Sequence, residues 1–426
     1  MTPEVKKRIE QIRQGIVPEG YVKDKDGIYP RDWASKKIGQ WLKLAERPIV
    51  LQDEEAYRLV TVRRGFGGVD SRGSFLGKNV LVKNYFIVKT GDFIISKRQI
   101  AHGACGIVPP ELDGAVVSNE YNVFLPQDGT NIQMFNLMMQ LPHYKRLFYL
   151  MSDGVHIEKL LFKTQDWMKR TLAMPLLKEQ KKIAEILATQ DKAIELQGRK
   201  IEELKRFKQG CLERMFPRKG QKVPEKRFPG FTDDWEQRKL TEFVEFFSGL
   251  TYTPNDVQEN GTLVLRSSNV SNGEVVDADN VYVNPQVVNS ENVKVGDIVV
   301  VVRNGSRSLI GKHAQIKAFM PNTVIGAFMT GIRSECPKFT NALLNTSRFE
   351  EEIAMNMGAT INQITGYMFS KMEFKVPCLD EQKETGEYFE NLDHLITLHQ
   401  RKLEEMKKQK KALMQLLLTG IVRVRL

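Results

Sequence analysis

Two long stretches of the chain show the apolar spacing of an amphipathic helix. Alternating steps of four and three residues, starting at Ile183 and at Thr385, mark ten stripe positions in each stretch, and seven of the ten are apolar. This spacing predicts a coiled coil. The stripe positions are Ile183, Leu187, Gln190, Ile194, Gln197, Ile201, Leu204, Lys208, Cys211 and Met215 in the first stretch, and Thr385, Phe389, Leu392, Ile396, His399, Leu403, Met406, Lys410, Leu413 and Leu417 in the second.

The two helical stretches are copies of each other, and the copying extends upstream of them. A shift of 202 residues aligns them without a gap. The same shift pairs Trp33 with Trp235, and after a slip of three residues VKTGDFIISKR meets VKVGDIVVVVR. The repeat unit is therefore a globular domain followed by a helix. Matches in the helices include Pro175 with Pro377, Glu179-Gln180-Lys181 with Glu381-Gln382-Lys383, and Arg199-Lys200 with Arg401-Lys402.

Each helix would expose its apolar stripe if it stood alone, so each needs a partner, and the nearest is its own copy. Charge indicates the direction of pairing. Residues 377–399 hold six acidic residues and one basic, whereas residues 198–220 hold eight basic and three acidic. Antiparallel packing sets these halves side by side. We expect an antiparallel pair in which Gln197, His399, Lys208 and Lys410 help to fix the register.

The globular halves, residues 33–174 and 235–376, mix short β-branched runs with turn-rich loops and a helical patch, which predicts an α+β domain. Gly91-Asp92 and Gly296-Asp297 are predicted to be turns that lead into buried strands. Residues 219–234, rich in proline and glycine, form a linker. The first residues of the chain are predicted to form a helix beside the end of the second long helix, near Arg423 and Arg425.

Bulk composition narrows the class of protein. The chain of 426 residues is long enough for two or more domains, and its 63 basic against 52 acidic residues give a net charge of +11, which fits an anionic partner such as nucleic acid. Neither a membrane span nor a secretory signal is evident, so we expect a soluble cytoplasmic protein. The four cysteines and six histidines are scattered, which indicates neither disulfides nor a zinc site.

Loops that follow predicted strands carry the candidate ligand contacts. Arginine, lysine, asparagine, serine and histidine on glycine-bearing loops are donors that read purine edges and hold phosphates. The alternative is that several of them are ordinary solvated or capping side chains. The candidates are Arg63, Arg64, Lys97, Arg98 and His102 in the first half, and Arg266, Ser268, Asn269, Arg303, Asn304, Arg307 and Lys312 in the second.

Motifs for catalysis are incomplete. GSFLGKN and GSRSLIGKH lack the spacing and the GK[ST] ending of a phosphate-binding loop, and RGFGGVD lacks GxGxxG. No NPPY-like tetrapeptide that would hold a flipped base is present, and no carboxylate cluster with a lysine stands out. These absences favour a binding protein without a reaction of its own.

With its doubled globular domain, its paired helices and the phrase MPLLKEQKKI echoed as VPCLDEQKE, the chain resembles the specificity subunit of type I restriction-modification systems. In that family a proline followed by Glu-Gln opens each of two helical regions, and a Trp-x-x-x-Lys-[Ile/Leu] phrase opens each target-recognition domain. Here these phrases are Trp33 to Ile38 and Trp235 to Leu240. The resemblance covers essentially the whole chain.

The resemblance implies a pseudo-twofold α+β protein in which two tandem target-recognition domains are separated and followed by long helices that pair as an antiparallel coiled coil. Each domain would read one half of a split DNA target. Because RRGFGGVDSR and RSSNVSNGE differ, the target should be asymmetric. The implied division is an N-terminal helix and linker (1–32), a first recognition domain (33–174), a central helix (175–218), a linker with the second recognition domain (219–376) and a distal helix (377–426).

The resemblance also implies partners. Two modification subunits would supply S-adenosylmethionine binding and adenine N6 methylation, and two restriction subunits would supply ATP-driven translocation and cleavage with Mg²⁺. The chain itself would hold no cofactor and catalyse nothing. Glu179, Gln180, Glu381 and Gln382 would lie near the contact with the modification subunits, although a solvated first helical turn explains these four residues equally well.

Two other readings stay open at this point. A coiled-coil scaffold could bind DNA without reading its sequence, in which case its affinity would depend on salt but not on the target. A free-standing nuclease or methyltransferase is the enzymatic alternative, and the missing motifs count against it.

Overall fold

The computed structural model describes residues 2–24, 27–154, 160–357 and 362–424. The chain divides into two compact units: unit 1 is Met1–Leu196 with Leu403–Leu426, and unit 2 is Gln197–Lys402. Each unit therefore contains one globular part and portions of both long helices. Arg425, which the sequence placed near the end of the second helix, lies outside the described residues.

Unit 1 is a mixed α+β structure. Its helices are α1 (Pro3–Arg13), α2 (Ile38–Trp41), α3 (Ile132–Met138), α4 (Pro142–Leu150), α5 (Thr164–Met168) and the first half of the long α6 (Leu177–Met215). Its strands are β1 (Tyr21–Asp24), β2 (Gly27–Pro30), β3 (Ala34–Lys37), β4 (Leu42–Leu44), β5 (Pro48–Val50), β6 (Ala56–Val62), β7 (Val69–Leu76), β8 (Asn84–Ile87), β9 (Phe93–Ser96), β10 (Cys105–Ile107), β11 (Val116–Ser118), β12 (Tyr121–Pro126), β13 (Ser152–Asp153), β14 (Leu161–Phe162) and β15 (Thr171–Met174).

Unit 2 repeats this class of architecture. Its strands are β16 (Glu236–Lys239), β17 (Val244–Ser248), β18 (Val257–Gln258), β19 (Thr262–Leu265), β20 (Val270–Ser271), β21 (Glu274–Val275), β22 (Val281–Val283), β23 (Ile298–Val301), β24 (His313–Gln315), β25 (Thr323–Ile325), β26 (Met329–Ser334) and β27 (Glu373–Val376). Its helices are α7 (Pro337–Leu344), α8 (Ser347–Asn356), α9 (Gly366–Lys371) and most of α10 (Leu379–Leu418), whose end belongs to unit 1.

Each globular part contains two main sheets. In unit 1 the sheet orders are β5-β8-β11-β6-β7 and β10-β9-β12-β4, and in unit 2 they are β18-β22-β19-β25 and β17-β26-β23-β24. The pairs β6–β11 and β19–β25 are parallel. A short ribbon also closes the beginning of each globular part onto its end, through β3 with β15 and β16 with β27. None of the helices in the described ranges is long and apolar enough to cross a membrane.

The strands β9 and β23 form the centre of the two cores. Their sequences, FIIS and IVVV, are buried at every position. Phe93 and Ile95 pack against the helices of unit 1, whereas Ile94 packs against the other sheet. Because both faces of these strands are buried, their sequences are nearly continuous apolar runs and do not alternate between apolar and polar residues.

The turns before these strands confirm the predicted Gly-Asp signals. Gly91 and Gly296 have φ values of 85° and 97°, a left-handed conformation that suits glycine. The buried Asp92 accepts a hydrogen bond from the Lys89 amide (2.7 Å) and pairs with Arg47 (2.6 Å). In unit 2, Asp297 accepts from the Lys294 amide (2.8 Å) and pairs with Arg333 (2.9 Å). Hydrogen bonding to the carboxylate raises the pKa of each arginine.

The long helices pair antiparallel within each unit, as the charge pattern predicted. In unit 1, Asp191 meets Lys410, and Ile183 and Leu187 share a core with Leu417. In unit 2, Lys208 lies 2.6 Å from Asp393, and Cys211 Sγ lies 3.4 Å from Tyr388 Oη. All twenty stripe positions are buried or half-buried.

The four polar stripe residues that were expected to fix the register all have partners across the helix pair. Gln197 Nε2 donates to the His399 carbonyl at 2.9 Å, and Lys208 and Lys410 bind aspartates that occupy equivalent positions in the repeat. A half-buried ammonium without a partner is costly, so a shifted register that separates these pairs is disfavoured.

The N-terminal helix lies beside the end of α10, as predicted. Arg8 of α1 donates to the Ile421 carbonyl, and the Tyr21 hydroxyl donates to the Gly420 carbonyl at 2.6 Å. Gly420 itself has a φ of 70°, the left-handed conformation expected of a glycine just after a helix.

Replacing Gly420 with alanine should lower the stability of the protein. A Cβ at this position would lie 2.4 Å from Pro30 and 2.9 Å from Trp33, so overpacking of about 1 to 3 kcal/mol adds to the left-handed strain. Gly220→Ala is the matched control, because Gly220 has a φ of 86° and nothing within 4 Å of its built Cβ. It should cost only about 1 kcal/mol. Thermal unfolding of the two variants measures the difference, and equal losses would show that Gly420 is not tightly packed.

Candidate nucleic-acid interface

Two of the predicted loops come together in unit 1. The loop between β6 and β7 contacts the loop between β9 and β10. The Gly65 amide donates to the His102 carbonyl (2.7 Å), and the Phe66 amide donates to the Gly103 carbonyl (2.8 Å). Phe66 adopts a positive φ of 60° there. The structure thus places Arg63, Arg64, Lys97, Arg98 and His102 on two loops that hydrogen bonds join into one surface, which we call surface 1.

The charges of surface 1 are partly held by nearby carboxylates. Arg63 pairs with Asp70, and Arg98 Nε lies 2.5 Å from Glu120 Oε2. Both pairs are exposed, and exposed ion pairs contribute about 0 to 1 kcal/mol. An arriving phosphate or base edge can therefore replace the carboxylate at low cost. Arg64 is exposed, whereas Lys97 and His102 are half-buried.

Four of the predicted residues in unit 2 lie around one cleft. Arg266 and Ser268 line a cavity of about 670 Å³ together with Phe328. The Arg303 guanidinium stacks over the same Phe328 ring, 5.0 Å from its centroid. Asn304 Nδ2 donates to Ser267 Oγ at 3.0 Å and so joins the two loops. We call this cleft surface 2.

Arg307 and Lys312 lie at a different place in unit 2. Both are exposed and line a second cavity of about 560 Å³, beside Asn272, Glu350 and Gln209 of α6. The structure therefore separates the predicted residues of this unit into surface 2 and a cationic pair outside it. His313, which follows Lys312, is buried, and burial lowers the pKa of its imidazole.

The prediction that Asn269 contacts DNA requires correction. Its side chain is 1% exposed, its Oδ1 accepts from the Arg266 amide (2.9 Å), and its Nδ2 donates to the Ala278 carbonyl (2.8 Å) and to Asn280 Oδ1 (2.9 Å). The hydrogen-bonding groups of the Asn269 side chain are thus occupied within its own loop and do not face a ligand. Asparagine often replaces backbone hydrogen bonds in tight turns, and its position before the turn SNGE was a signal for this role.

A third segment, not predicted from the sequence, joins surface 2. Asn362 Nδ2 donates to the Gly305 carbonyl (3.1 Å), and the Asn304 amide donates to the Asn362 carbonyl (3.4 Å). Gln363 forms an isolated antiparallel bridge with Arg303. In unit 1 the Phe162 amide similarly donates to the Lys97 carbonyl (3.0 Å). These residues lie about sixty positions from their partners, so no local pattern could have found them.

The four residues predicted at the beginnings of the long helices are buried. Glu179, Gln180, Glu381 and Gln382 are 3%, 1%, 1% and 7% exposed. The alternative of a solvated first helical turn is therefore wrong. Gln180 Nε2 donates to the Pro175 carbonyl (2.8 Å), and Gln382 Nε2 donates to the Pro377 carbonyl (2.9 Å). Direct contact with a partner protein stays a prediction.

The two glutamates form equivalent ion pairs, which we call the helix clasps. Glu179 accepts two hydrogen bonds from Arg423 (2.7 and 2.6 Å), and Arg423 also binds Asp32 (2.8 Å). Glu381 accepts two from Arg227 (2.6 and 2.7 Å). These hydrogen bonds raise the pKa of both arginines. In each clasp, an arginine from the segment after one long helix binds the beginning of the other.

Comparison with known proteins places the chain in a family. Residues 30–206 and 232–408 match the family described as the type I restriction modification DNA specificity domain. The two matched ranges are 202 residues apart, which equals the shift of the internal repeat. The chain belongs to this family.

Relatives of known name agree with this placement. The chain is 26% identical over 417 residues to the type I restriction enzyme MjaVIII specificity subunit of Methanocaldococcus jannaschii, covering 93% of this chain and 94% of the relative. It is also 26% identical over 200 residues to the EcoKI specificity subunit of Escherichia coli K12, covering 45% and 43% of the two chains.

Solved structures show the same fold. The S subunit of a type I restriction-modification system from M. genitalium superposes with a TM-score of 0.54 at 13% identity, covering 90% of this chain and 96% of the other. A chain from a structural study of type I R-M complex assembly and conformational transition has a TM-score of 0.60 at 16% identity, with 92% and 99% covered. The two-domain α+β fold with long helices is thus the fold of this group.

Replacing Arg227 with methionine should destabilise the protein by about 3 kcal/mol, because Glu381 is left charged and buried without a partner. The double variant Arg227→Met/Glu381→Met should recover much of this loss, since it removes both charges. Chemical denaturation of the two variants and the wild type measures the effect. A single variant as stable as the wild type would show that the clasp contributes nothing to stability.

Proposed function

We propose that this chain is the DNA-recognition subunit of a type I restriction-modification complex, and that it reads a bipartite, asymmetric target. The observation that carries the proposal is the family match over both copies of the repeat. Each copy also presents a cationic loop surface, as expected for binding to phosphates and base edges. The names of the relatives support the same function.

The asymmetry of the target is supported by the different chemistry of the two surfaces. Surface 1 carries four cations and a histidine, namely Arg63, Arg64, Lys97, Arg98 and His102. Surface 2 has fewer cations and adds Ser268, Asn304 and an aromatic ring, Phe328. Because direct readout depends on which donors and acceptors meet the base edges, two such different surfaces would read different half-sites.

Catalysis would reside on partner subunits. The proposal includes two modification subunits that bind S-adenosylmethionine and methylate adenine at N6, and two restriction subunits that use ATP and Mg²⁺. The complex would act on DNA in the cytoplasm. The beginnings of the long helices remain the proposed docking region for the modification subunits. There the buried Glu179, Gln180, Glu381 and Gln382 would support the docking surface from inside.

The first test is methylation sequencing of DNA from a methylation-free host that expresses this chain with its cognate modification subunit. We expect N6-methyladenine at one split, asymmetric motif. The motif should disappear from a matched host that expresses the modification subunit alone. If no motif appears although the two proteins copurify, the chain is an assembly scaffold and the proposed reading function is refuted.

Replacing both Arg307 and Lys312 with alanine should weaken DNA binding without changing the motif. Both residues are exposed cations that lie outside surface 2. We therefore expect them to contact phosphates instead of base edges. Each lost phosphate contact should reduce the slope of log affinity against log salt by about 0.9. Binding of the complete complex to target and non-target DNA, measured at several salt concentrations, tests this. A selective loss for target DNA would instead assign these residues to base reading.

A further inference from the structure

We infer that Gln363, together with Arg303, forms a pair of adjacent base-reading side chains on surface 2. This inference rests on the proposed DNA recognition and deepens it by naming residues that determine specificity. Gln363 is absent from the predicted interface because it lies sixty residues beyond Arg303 in the chain. The tertiary structure alone brings the two together.

The first argument is the geometry of the backbone. Arg303 and Gln363 are directly opposite each other in an antiparallel bridge. The Ile364 amide donates to the Val302 carbonyl at 2.8 Å, and this bond fixes the register next to the bridge. Side chains of directly opposite residues point to the same face, with Cβ atoms about 4.5 to 5.5 Å apart. The two side chains therefore leave the protein side by side.

The second argument is the state of the Arg303 guanidinium. Among the described residues no carboxylate lies within ion-pair distance of Arg303, whereas Arg63, Arg98 and Arg266 are each paired with an acidic residue. Arg303 is instead held over the ring of Phe328. Stacking on an aromatic face orients a guanidinium without using its hydrogen-bond donors. Arg303 is thus ordered in advance and keeps its donors for a ligand.

The third argument is the match between these side chains and base edges. An arginine binds the O6 and N7 of guanine in a bidentate manner, and a glutamine binds the N6 and N7 of adenine in the same way. Successive bases on one strand are about 3.4 Å apart along the helix axis. Two long side chains that start about 5 Å apart can reach adjacent base pairs. We therefore expect neighbouring guanine and adenine in the half-site read by unit 2.

Asn362 has a positioning role in this arrangement. Its side chain donates to the Gly305 carbonyl at 3.1 Å, and its carbonyl accepts from the Asn304 amide. These bonds hold the segment that carries Gln363 against the loop that carries Arg303. The Gln363 side chain is not part of these bonds, so a change at Gln363 leaves the joint intact.

The test is Gln363→Glu in the methylation-sequencing experiment described above. A glutamate accepts a hydrogen bond from the N4 amino group of cytosine, but it cannot donate to the N7 acceptor of adenine as glutamine does. One position of one half-site should therefore change from adenine to cytosine, with a preference altered by about tenfold or more. The other half-site should stay unchanged. Arg303→Ala should relax the neighbouring guanine position.

Gln286→Glu is the matched control, because it makes the same chemical change on an exposed residue of unit 2 that does not line the cavity. Its motif should equal that of the wild type. If Gln363→Glu abolishes methylation, the motif of the Gln363→Ala variant is measured instead. Loss of base preference at one position of the half-site then supports the inference. An unchanged motif in either Gln363 variant overturns it. Absence of any motif with the wild-type chain would instead refute the proposed function itself.

Discussion

The structure depends on the burial of two apolar stripes, each about forty residues long. Neither long helix is stable with its stripe in water, so a half of α6 and a part of α10 cover each other in both units. The globular cores continue onto the same stripes: Leu187 packs with the aromatic core of unit 1, and Phe389 packs with that of unit 2. Helix and globular part therefore stabilise each other, and neither is an independent module within its unit.

Apolar burial stabilises the helix pair but has little directionality, so it does not fix the register of the two helices. The polar contacts between the helices fix that register. Lys208 with Asp393 and Lys410 with Asp191 are the same contact made twice. The helix clasps repeat this principle at the helix beginnings, where Arg227 and Arg423 bind buried glutamates. A misregistered pair would leave several of these charges buried without partners, and such charges cost more than a few displaced methyl groups.

The duplication separates what must stay constant from what can vary. The strands FIIS and IVVV differ at all four positions, yet both are buried throughout, and the aspartate before each strand pairs with an arginine. Burial and this ion pair therefore define the same scaffold in both units. The loops that follow these strands bear no such constraint. One scaffold can therefore carry two surfaces of different chemistry, as the proposed recognition of two different half-sites requires.

The sequence by itself determined the repeat, the long helices, their antiparallel direction, the Gly-Asp turns and the class of protein, since each depends on periodic burial, net charge or local backbone preference. It also indicated which loops carry the cationic side chains. Only the tertiary structure decided that Asn269 is consumed inside its loop, that Arg307 and Lys312 lie apart from surface 2, that Glu179 and Glu381 are buried in clasps, and that Gln363 lies beside Arg303. Those outcomes depend on contacts between residues distant in the chain or on the hydrogen bonds that a folded loop makes, and neither leaves a periodic signal in the sequence.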